Sequence, residues 1–441
     1  MPLQSPGRRR RRRPGRTLLV VIGVGLVLAG GYAYLTGAAP PDTGRTTPGE
    51  PLQVASEMGP ERDRDRDPRP GAGVDQLLGT DQVDRLDPGG RWRITATGGR
   101  PAAGTVYDEC ATSRSADPRR RAAYTRTFTA RGQEQRVLVQ AVEVSRTAAA
   151  ADAAFRRAIG WYAGCQAPRT QLLDSYSLSG PGADAVVLEL RRWSSPLRHL
   201  TVALTHSGVV NAVLVHEADG APAAPRRAFS RTVVAAAQRL CRTSGGACLD
   251  DPAPRPAAPP PTGEAPGFVG AVDLPAVAGL RTPWVGTAAA PAGPDVAAAL
   301  CEGGAFIADS LARVRSRTFV LPMEPVPPRF GLTQTVGALG SPRAAARLVA
   351  EASARIQGCP DRLPSVSVDG PLVVGDSGVR GRVWRLTYEL PRGEVFHRVG
   401  LVRNGRAVTQ LTLSPTSRLD PGRAAFVRLT LRAGERLAEL P

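Results

Sequence analysis

The 441-residue chain contains no lysine; all 57 residues of its Lys/Arg total are arginine. That one-sidedness matches the codon bias of a GC-rich genome better than a surface built to grip phosphates. Aromatic residues are scarce, at 5%, too few for the stacking platforms that bind single-stranded nucleic acid. The formal net charge of +18 therefore does not point to nucleic acid. Seven of those charges sit in Arg8, Arg9, Arg10, Arg11, Arg12, Arg13 and Arg16. The remaining arginines are dispersed, a mild bias toward anionic envelope polymers. Histidine occurs only four times. No G-x-S-x-G nucleophile elbow, P-loop or dinucleotide glycine fingerprint is present, so the usual serine-hydrolase and nucleotide signatures are missing. No cofactor is expected.

What the chain does have is one long apolar run. Thr17 to Leu35 holds nineteen residues without a charge, about 28 Å of helix against the ~30 Å hydrocarbon core of a bilayer. Tyr32 and Tyr34 close it, where amphipathic rings suit the interface. The arginine block should stay in the cytoplasm, making residues 17–38 a single-pass signal anchor behind a cytoplasmic tail of residues 1–16. A cleaved signal peptide is the competing reading, with Gly37 and Ala39 as the small residues at the cleavage site. The run exceeds the usual h-region of about 7–15 residues, which favours the anchor. Both readings export the bulk of the chain.

Residues 39–73, rich in Pro, Gly and alternating charge, read as a disordered linker. Asp250 to Gly267, DDPAPRPAAPPPTGEAPG, reads as a second, stiffer Pro-rich linker. The segments 74–249 and 268–441 repeat the same ordered features. Each begins with a short helical opening, Val74 matched by Val272, followed by a cysteine. An apolar strand and an alanine-rich helix ending in Gly-Cys come next, at Cys165 and Cys359. Ser341 and Pro342 form a good helix start. A hairpin follows, turning at Ser207-Gly208 in one and Asn404-Gly405 in the other; Asn-Gly between alternating apolar runs is a strong hairpin signal. The offset of 197 between Ser207 and Asn404 also superposes Phe229 on Phe426 in the closing helix. Each segment is expected to be α+β, an antiparallel sheet with both helices on one face.

All six cysteines, Cys110, Cys165, Cys241, Cys248, Cys301 and Cys359, lie beyond the apolar run. An even number in an exported chain reads as disulfides, and the spacings do not suit zinc. The repeat suggests Cys110–Cys165 and Cys301–Cys359, loops that gain roughly 4 kcal/mol in the chain-entropy model. Cys241 and Cys248 would close a small loop found in the first segment alone.

The residues VDQLLGTDQVDRL at 74–86, Cys110, QAVEVSRTAAAADAAFRRAIGWYAGCQ at 140–166, and the closing helix running into Cys241 and Cys248 carry a resemblance. With the arginine tail, membrane helix and Pro-rich linker, the pattern resembles the extracellular sensor domain of mycobacterial PknH-type serine/threonine kinases. It covers 74–249 more closely than 268–441. It implies two tandem sensor-type domains on an actinobacterial envelope, each with a disulfide-braced cleft for an unidentified extracellular ligand. Sixteen cytoplasmic residues cannot hold a kinase, and no kinase signature occurs, so signalling would need a separate protein.

Side chains suited to chemistry are few. His206 and His216 lie on two arms of one hairpin, with His199 nearby and His397 alone; polar strand-end roles are the simpler reading. Gly375-Asp376-Ser377-Gly378 reads as a turn. The pairs Asp108-Glu109 and Asp250-Asp251 read as solvated loop groups. Trp161, Trp193 and Trp384 are candidates for a ligand cleft. The expectation is a non-catalytic ligand-binding or sensor ectodomain; the alternatives are an envelope scaffold that binds proteins and, further behind, a cell-wall hydrolase.

Overall fold

The computed structural model describes residues 72–87, 89–99, 106–130, 136–178, 184–249, 253–292, 301, 312–376, 378–391 and 393–440. The arginine block, the expected anchor at 17–38 and the linker up to residue 71 lie outside the described residues, as do Asp250, Asp251 and Ser377. Among the described residues no helix is long and apolar enough to cross a membrane.

Among the described residues, sixteen strands form two antiparallel sheets. The first holds β1 (Arg93–Gly98), β2 (Ala122–Thr129), β3 (Arg136–Val144), β4 (Thr170–Leu178), β5 (Asp184–Arg192), β6 (Arg198–Ser207), β7 (Val210–Asp219) and β8 (Pro254–Pro256). Its spatial order is β1-β2-β3-β7-β6-β5-β4-β8. The second holds β9 (Val285–Gly286), β10 (Ala290–Pro291), β11 (Ala312–Val320), β12 (Gly331–Ala338), β13 (Val366–Asp376), β14 (Val379–Leu390), β15 (Gly393–Asn404) and β16 (Ala407–Ser414). Its order is β10-β11-β12-β16-β15-β14-β13, with β9 also pairing β11. The six long strands follow the same path in both sheets.

Among the described residues, four long helices accompany them: α1 (Ala148–Ala163), α2 (Arg226–Ser244), α3 (Pro342–Gln357) and α4 (Arg423–Arg436). Thr147 caps α1 by accepting from Ala150 N, and Ser341 caps α3 by accepting from Ala344 N, each satisfying one of the orphan amides of a first turn. Ala151, Ala154, Phe155, Ala158, Trp161 and Tyr162 form the buried stripe of α1, and Ala345, Leu348, Val349, Ala352 and Ile356 that of α3.

The helices do not share a face. Phe155 and Trp161 of α1 pack with Val202, Leu204 and Val213, whereas Phe229 and Val233 of α2 pack with Ala203, Ala212 and Leu214. The second sheet is sandwiched in the same way between α3 and α4. The cause is legible in β7, whose residues Val210 to Ala218 are buried without a break; strands covered on both faces read as continuous apolar runs, not as alternation. The hairpin turns also sit one residue later than expected. Ser207 pairs with Val210 and Asn404 with Ala407, so the central residues are Gly208-Val209 and Gly405-Arg406. Only the glycines have positive φ, +56° and +57°, as a type II′ turn requires.

The openings superpose differently from the sequence match of Val74 with Val272. Buried Gln140 Oε1 accepts from Leu78 N at 2.8 Å, and buried Gln334 Oε1 accepts from Val269 N at 2.8 Å. Gly79 N then donates to Gln82 and Gly270 N to Asp273. A non-local hydrogen bond sets that register, which no local periodicity records.

All three disulfides form as the cysteine spacing suggests: Cys110–Cys165, Cys241–Cys248 and Cys301–Cys359. The Pro-rich stretch, by contrast, is not a solvated spacer from residue 253 onward. Pro254–Pro256 extends the first sheet along β4, and Ala257 exchanges bonds with Ser175. Pro259 and Pro260 then offer their carbonyls to buried Arg436. Proline lacks a donor but keeps its acceptor, so the strap is held where acceptors are needed.

Candidate functional site

The strap lies on a seam between the two sheet-and-helix segments, and the seam has a polar core. Asp273, in the opening of the second segment, and Arg436, in the last turn of α4, are both fully buried. They pair bidentately, Nε to Oδ2 at 3.0 Å and Nη2 to Oδ1 at 3.0 Å. Arg436 also donates to Pro260 O at 2.6 Å and Glu439 Oε1 at 2.9 Å. Burial would lower its pKa, but Asp273 and Glu439 outweigh that and raise it. Across the seam Arg432 Nη2 donates to Leu173 O at 2.9 Å, and Gln171 Nε2 to Asp273 O at 3.4 Å. Arg191 is shifted down by burial and then by Arg428 across the seam.

Beside this core the seam opens into a cavity of about 590 Å³, within the ~300–1,000 Å³ span of small-molecule sites. One wall is the end of α1 and the start of β4, Gly164 to Thr170; the other is the strap, the second opening and Arg317 of β11. Gly164 is needed there, because a Cβ would lie 2.6 Å from Thr262 O of the strap. Opposite, a Cβ at Gly286 would meet the Arg317 guanidinium at 2.3 Å and oblige that side chain to shift.

Val272, Leu274, Val277, Trp284 and Leu321 supply an apolar lining. Trp284 is fixed by donating to Pro275 O at 2.9 Å and by stacking on Phe330. The polar lining is cationic. Arg317 pairs with Glu264, donates from Nε to Thr287 O at 2.7 Å, and lies over the Phe319 ring. Its Nη1, the Nε of Arg169 and the Oγ1 of Thr170 are buried without a partner. Arg169 is held at φ +59°, an uncommon conformation for a residue with a Cβ. Buried polar groups are normally satisfied, and these three belong to residues that line the cavity. Among the described residues, the lining holds one carboxylate, Glu264, already paired, and neither histidine nor serine.

None of the tryptophans singled out from the sequence lines this cavity. Trp161 is buried under α1 and Trp384 under α3, in separate cores. Trp193 is half-buried near the seam, donating to Gln171 Oε1 at 3.2 Å and lying under Arg191. Trp284, the one that does, carried no distinguishing sequence signal.

The histidines do not converge either. In the β6–β7 register His206 faces Asn211 and His216 faces Thr201, which places them on opposite faces of the sheet. His206 Nδ1 meets Asn211 Oδ1 at 2.9 Å, and its ring stacks on Phe155. His199 is shifted down by burial and Arg191, and His397 Nδ1 meets Ser414 Oγ at 2.9 Å. Glu109 is not a solvated loop group, since it pairs with Arg192 and lies 3.9 Å from Arg198. Among the described residues no group of histidine, cysteine and carboxylate side chains is arranged to hold a metal ion.

His216 packs between Trp92 and Phe229, and neither ring nitrogen has a partner. Burial, and then Arg136, push its pKa from 6.5 down to about 4, against a pull from Asp87. Its stabilising contribution is therefore complete above the unfolded pKa of 6.5 and is lost as pH falls through about 4. Leu413 holds the equivalent position in the second sheet. His216→Leu is expected to remove about 2–3 kcal/mol of the acid destabilisation between pH 7 and 4, read by urea unfolding at each pH. An unchanged pH profile would sink that assignment.

No family model matches the chain, and no curated protein matches it. Among solved structures, it is similar to the extracellular domain of PknH from Mycobacterium tuberculosis. Identity is 13%, the match covers 40% of this chain and 98% of that chain, and the TM-score is 0.28. That is a weak, fold-level likeness, and no function is carried over from it.

Proposed function

We propose that the protein is a non-catalytic, extracytoplasmic ligand-binding or sensor-type component of an actinobacterial cell envelope. In this reading residues 17–38 anchor it as a single span, with the arginine block inside, and two duplicated sensor-type domains stand outside. The ligand occupies the cavity on the seam. The observation that carries the reading is the cavity itself, which combines an apolar lining with two arginines, Arg169 and Arg317. Such a lining suits an amphipathic envelope molecule with an anionic or acceptor-rich head, held by Arg317 and Arg169 while its apolar part lies against Trp284 and Val277. Guanidinium groups suit carboxylate and phosphate heads because their donors form a planar fork. A lone carboxylate already paired with arginine argues against hydrolysis, which needs a free acid, base or nucleophile.

The test is thermal unfolding of the full chain, disulfides intact, with fatty acids, lysophospholipids and fractionated envelope lipids. A ligand at a hundred times its Kd should add ~2.7 kcal/mol and move the midpoint by a few degrees. Arg317→Met should weaken that ligand by about tenfold or more, as expected on losing a charge-assisted contact. A shift that survives the substitution undiminished removes the ligand from this cavity. No shift with any fraction would favour the protein-binding scaffold instead.

A further inference from the structure

The two segments charge one surface in opposite ways. Along α4 and the turn that follows it, Arg432, Glu435, Arg436 and Glu439 recur at intervals of three or four, the spacing that puts residues on one helix face. Glu435 pairs with Arg432 and Glu439 with Arg436, and Asp273 joins them from the second opening. Two arginines thus meet three carboxylates. The offset of 197 carries this face onto Ala235, Gln238, Arg239 and Arg242 of α2. The openings align through the bonds from Gly79 N to Gln82 and from Gly270 N to Asp273, which sets Gln82 in the place of Asp273. Each carboxylate is therefore exchanged in the first segment: Asp273 for Gln82, Glu435 for Gln238 and Glu439 for Arg242. The central arginine is kept and its counter-charges are not.

These side chains line a groove of about 470 Å³ between α2 and the short helix Thr80–Val83. Among the described residues, Arg85, Arg239 and Arg242 face one carboxylate there, Asp75, a balance of +2 (3 − 1). Ala235 is the one apolar residue of that lining, so the groove has little to offer a hydrophobic ligand. Arg85 and Arg242 are exposed. Arg239 donates from Nε to Gln76 O and from Nη2 to Asp75 O, which fixes its plane and leaves Nη1 over. Arg126 grips the same opening from β2, donating to Leu78 O and Val74 O. Its pKa is pushed down by burial and then by Arg239, against a pull from Asp75. Like charges crowded in this way are relieved by an anion.

We propose that this groove binds a polycarboxylate, a ligand that brings the carboxylates the first segment has exchanged. Arg239 and Arg242 on α2 and Arg85 from the opposite wall hold it. Guanidinium forks match carboxylates in plane and spacing. The second segment shows the arrangement made within one chain: Arg436 is bidentate to Asp273, with Glu439 alongside. The groove shares no lining residue with the seam cavity, so it is a second site, independent of the ligand proposed there.

The experiment titrates the full chain, in nonionic detergent micelles at about 150 mM salt to screen long-range attraction, with fluorescein-labelled hexaglutamate followed by anisotropy. Unlabelled hexaglutamate and tricarballylate compete. Whichever displaces the probe at the lower concentration assigns the ligand to acidic peptides or to small polycarboxylates, and either supports the site. Arg242→Glu, which returns the second segment's charge at that position, should weaken binding by about tenfold or more, as expected on losing a charge-assisted contact. Arg343→Glu, the same charge change at an exposed position on α3, should alter it by less than about twofold at that salt. Equal losses from the two overturn the proposal, because they would mean general attraction to a basic protein. Gln82→Asp, which restores a carboxylate beside Arg239, should weaken binding as well; unchanged affinity in that variant counts equally against the site. A wild-type chain that binds neither competitor overturns it too. So does displacement by pyrophosphate at lower concentration than by tricarballylate, which would make the groove a phosphate site.

Discussion

Arg436→Met is expected to destabilise the folded protein by about 3–5 kcal/mol, the cost of leaving a buried charge without its partner. Asp273 would be that orphan, with 0% side-chain exposure. It has few other polar neighbours: Gly270 N donates to it and Arg432 Nε lies 3.9 Å away. The strap would lose its grip as well, because Pro259 and Pro260 share the same guanidinium. The double variant Arg436→Met with Asp273→Leu should recover most of the loss, since apolar replacement of a whole buried pair is often near neutral. Arg239 occupies the equivalent position in α2, where it donates to the Asp75 and Gln76 carbonyls beside an open surface. Arg239→Met should accordingly cost only about 1 kcal/mol. Urea unfolding followed by tryptophan fluorescence and by circular dichroism distinguishes these outcomes. Similar costs for the two arginines would mean that the seam pair contributes no more than a surface contact.

Phe426→Ala should cost about 3–5 kcal/mol, the usual range for an aromatic ring removed from a closed core. Phe229→Ala should cost about the same, because both rings are 0% exposed under equivalent helices. The shape of the transition is the more telling readout. Arg432, Gln171 and the strap gripped by Arg436 tie the two segments together. Each substitution should therefore lower one shared transition. Two separate transitions, with only one shifted by each variant, would show that the seam does not couple the cores.

Much of each core was legible from sequence because it depends on local rules. Thr147 and Ser341 announce helix starts, and Gly164 and Gly358 their ends. The glycines of the hairpins mark turns, although the type II′ geometry places them at the first central position instead of the second. The shared offset of 197 runs through hairpin and closing helix because these elements are contiguous and equally spaced. The site was less legible. Nothing in the sequence sets Trp284 apart from Trp161, Trp193 and Trp384, since aromatic identity does not say which face of which layer a ring will occupy. His206 and His216 looked adjacent because sequence shows the hairpin but not that five residues along a strand reverse the face.

By itself, then, the sequence determined what short-range chemistry determines: the helices and hairpins, the order of elements in each segment, the oxidised pairing of its cysteines, and a nineteen-residue apolar run suited to a bilayer. Only the tertiary structure decided that α1 and α2 lie on opposite faces of one sheet, and that a Pro-rich stretch becomes a strand and a strap. The same holds for the burial of Arg436 against Asp273 and for the cavity beside Arg317. Each of these depends on groups distant in sequence meeting where water is excluded. The free energy of such a meeting is set by burial and by which donors find acceptors, and neither is written in the spacing of residues along the chain.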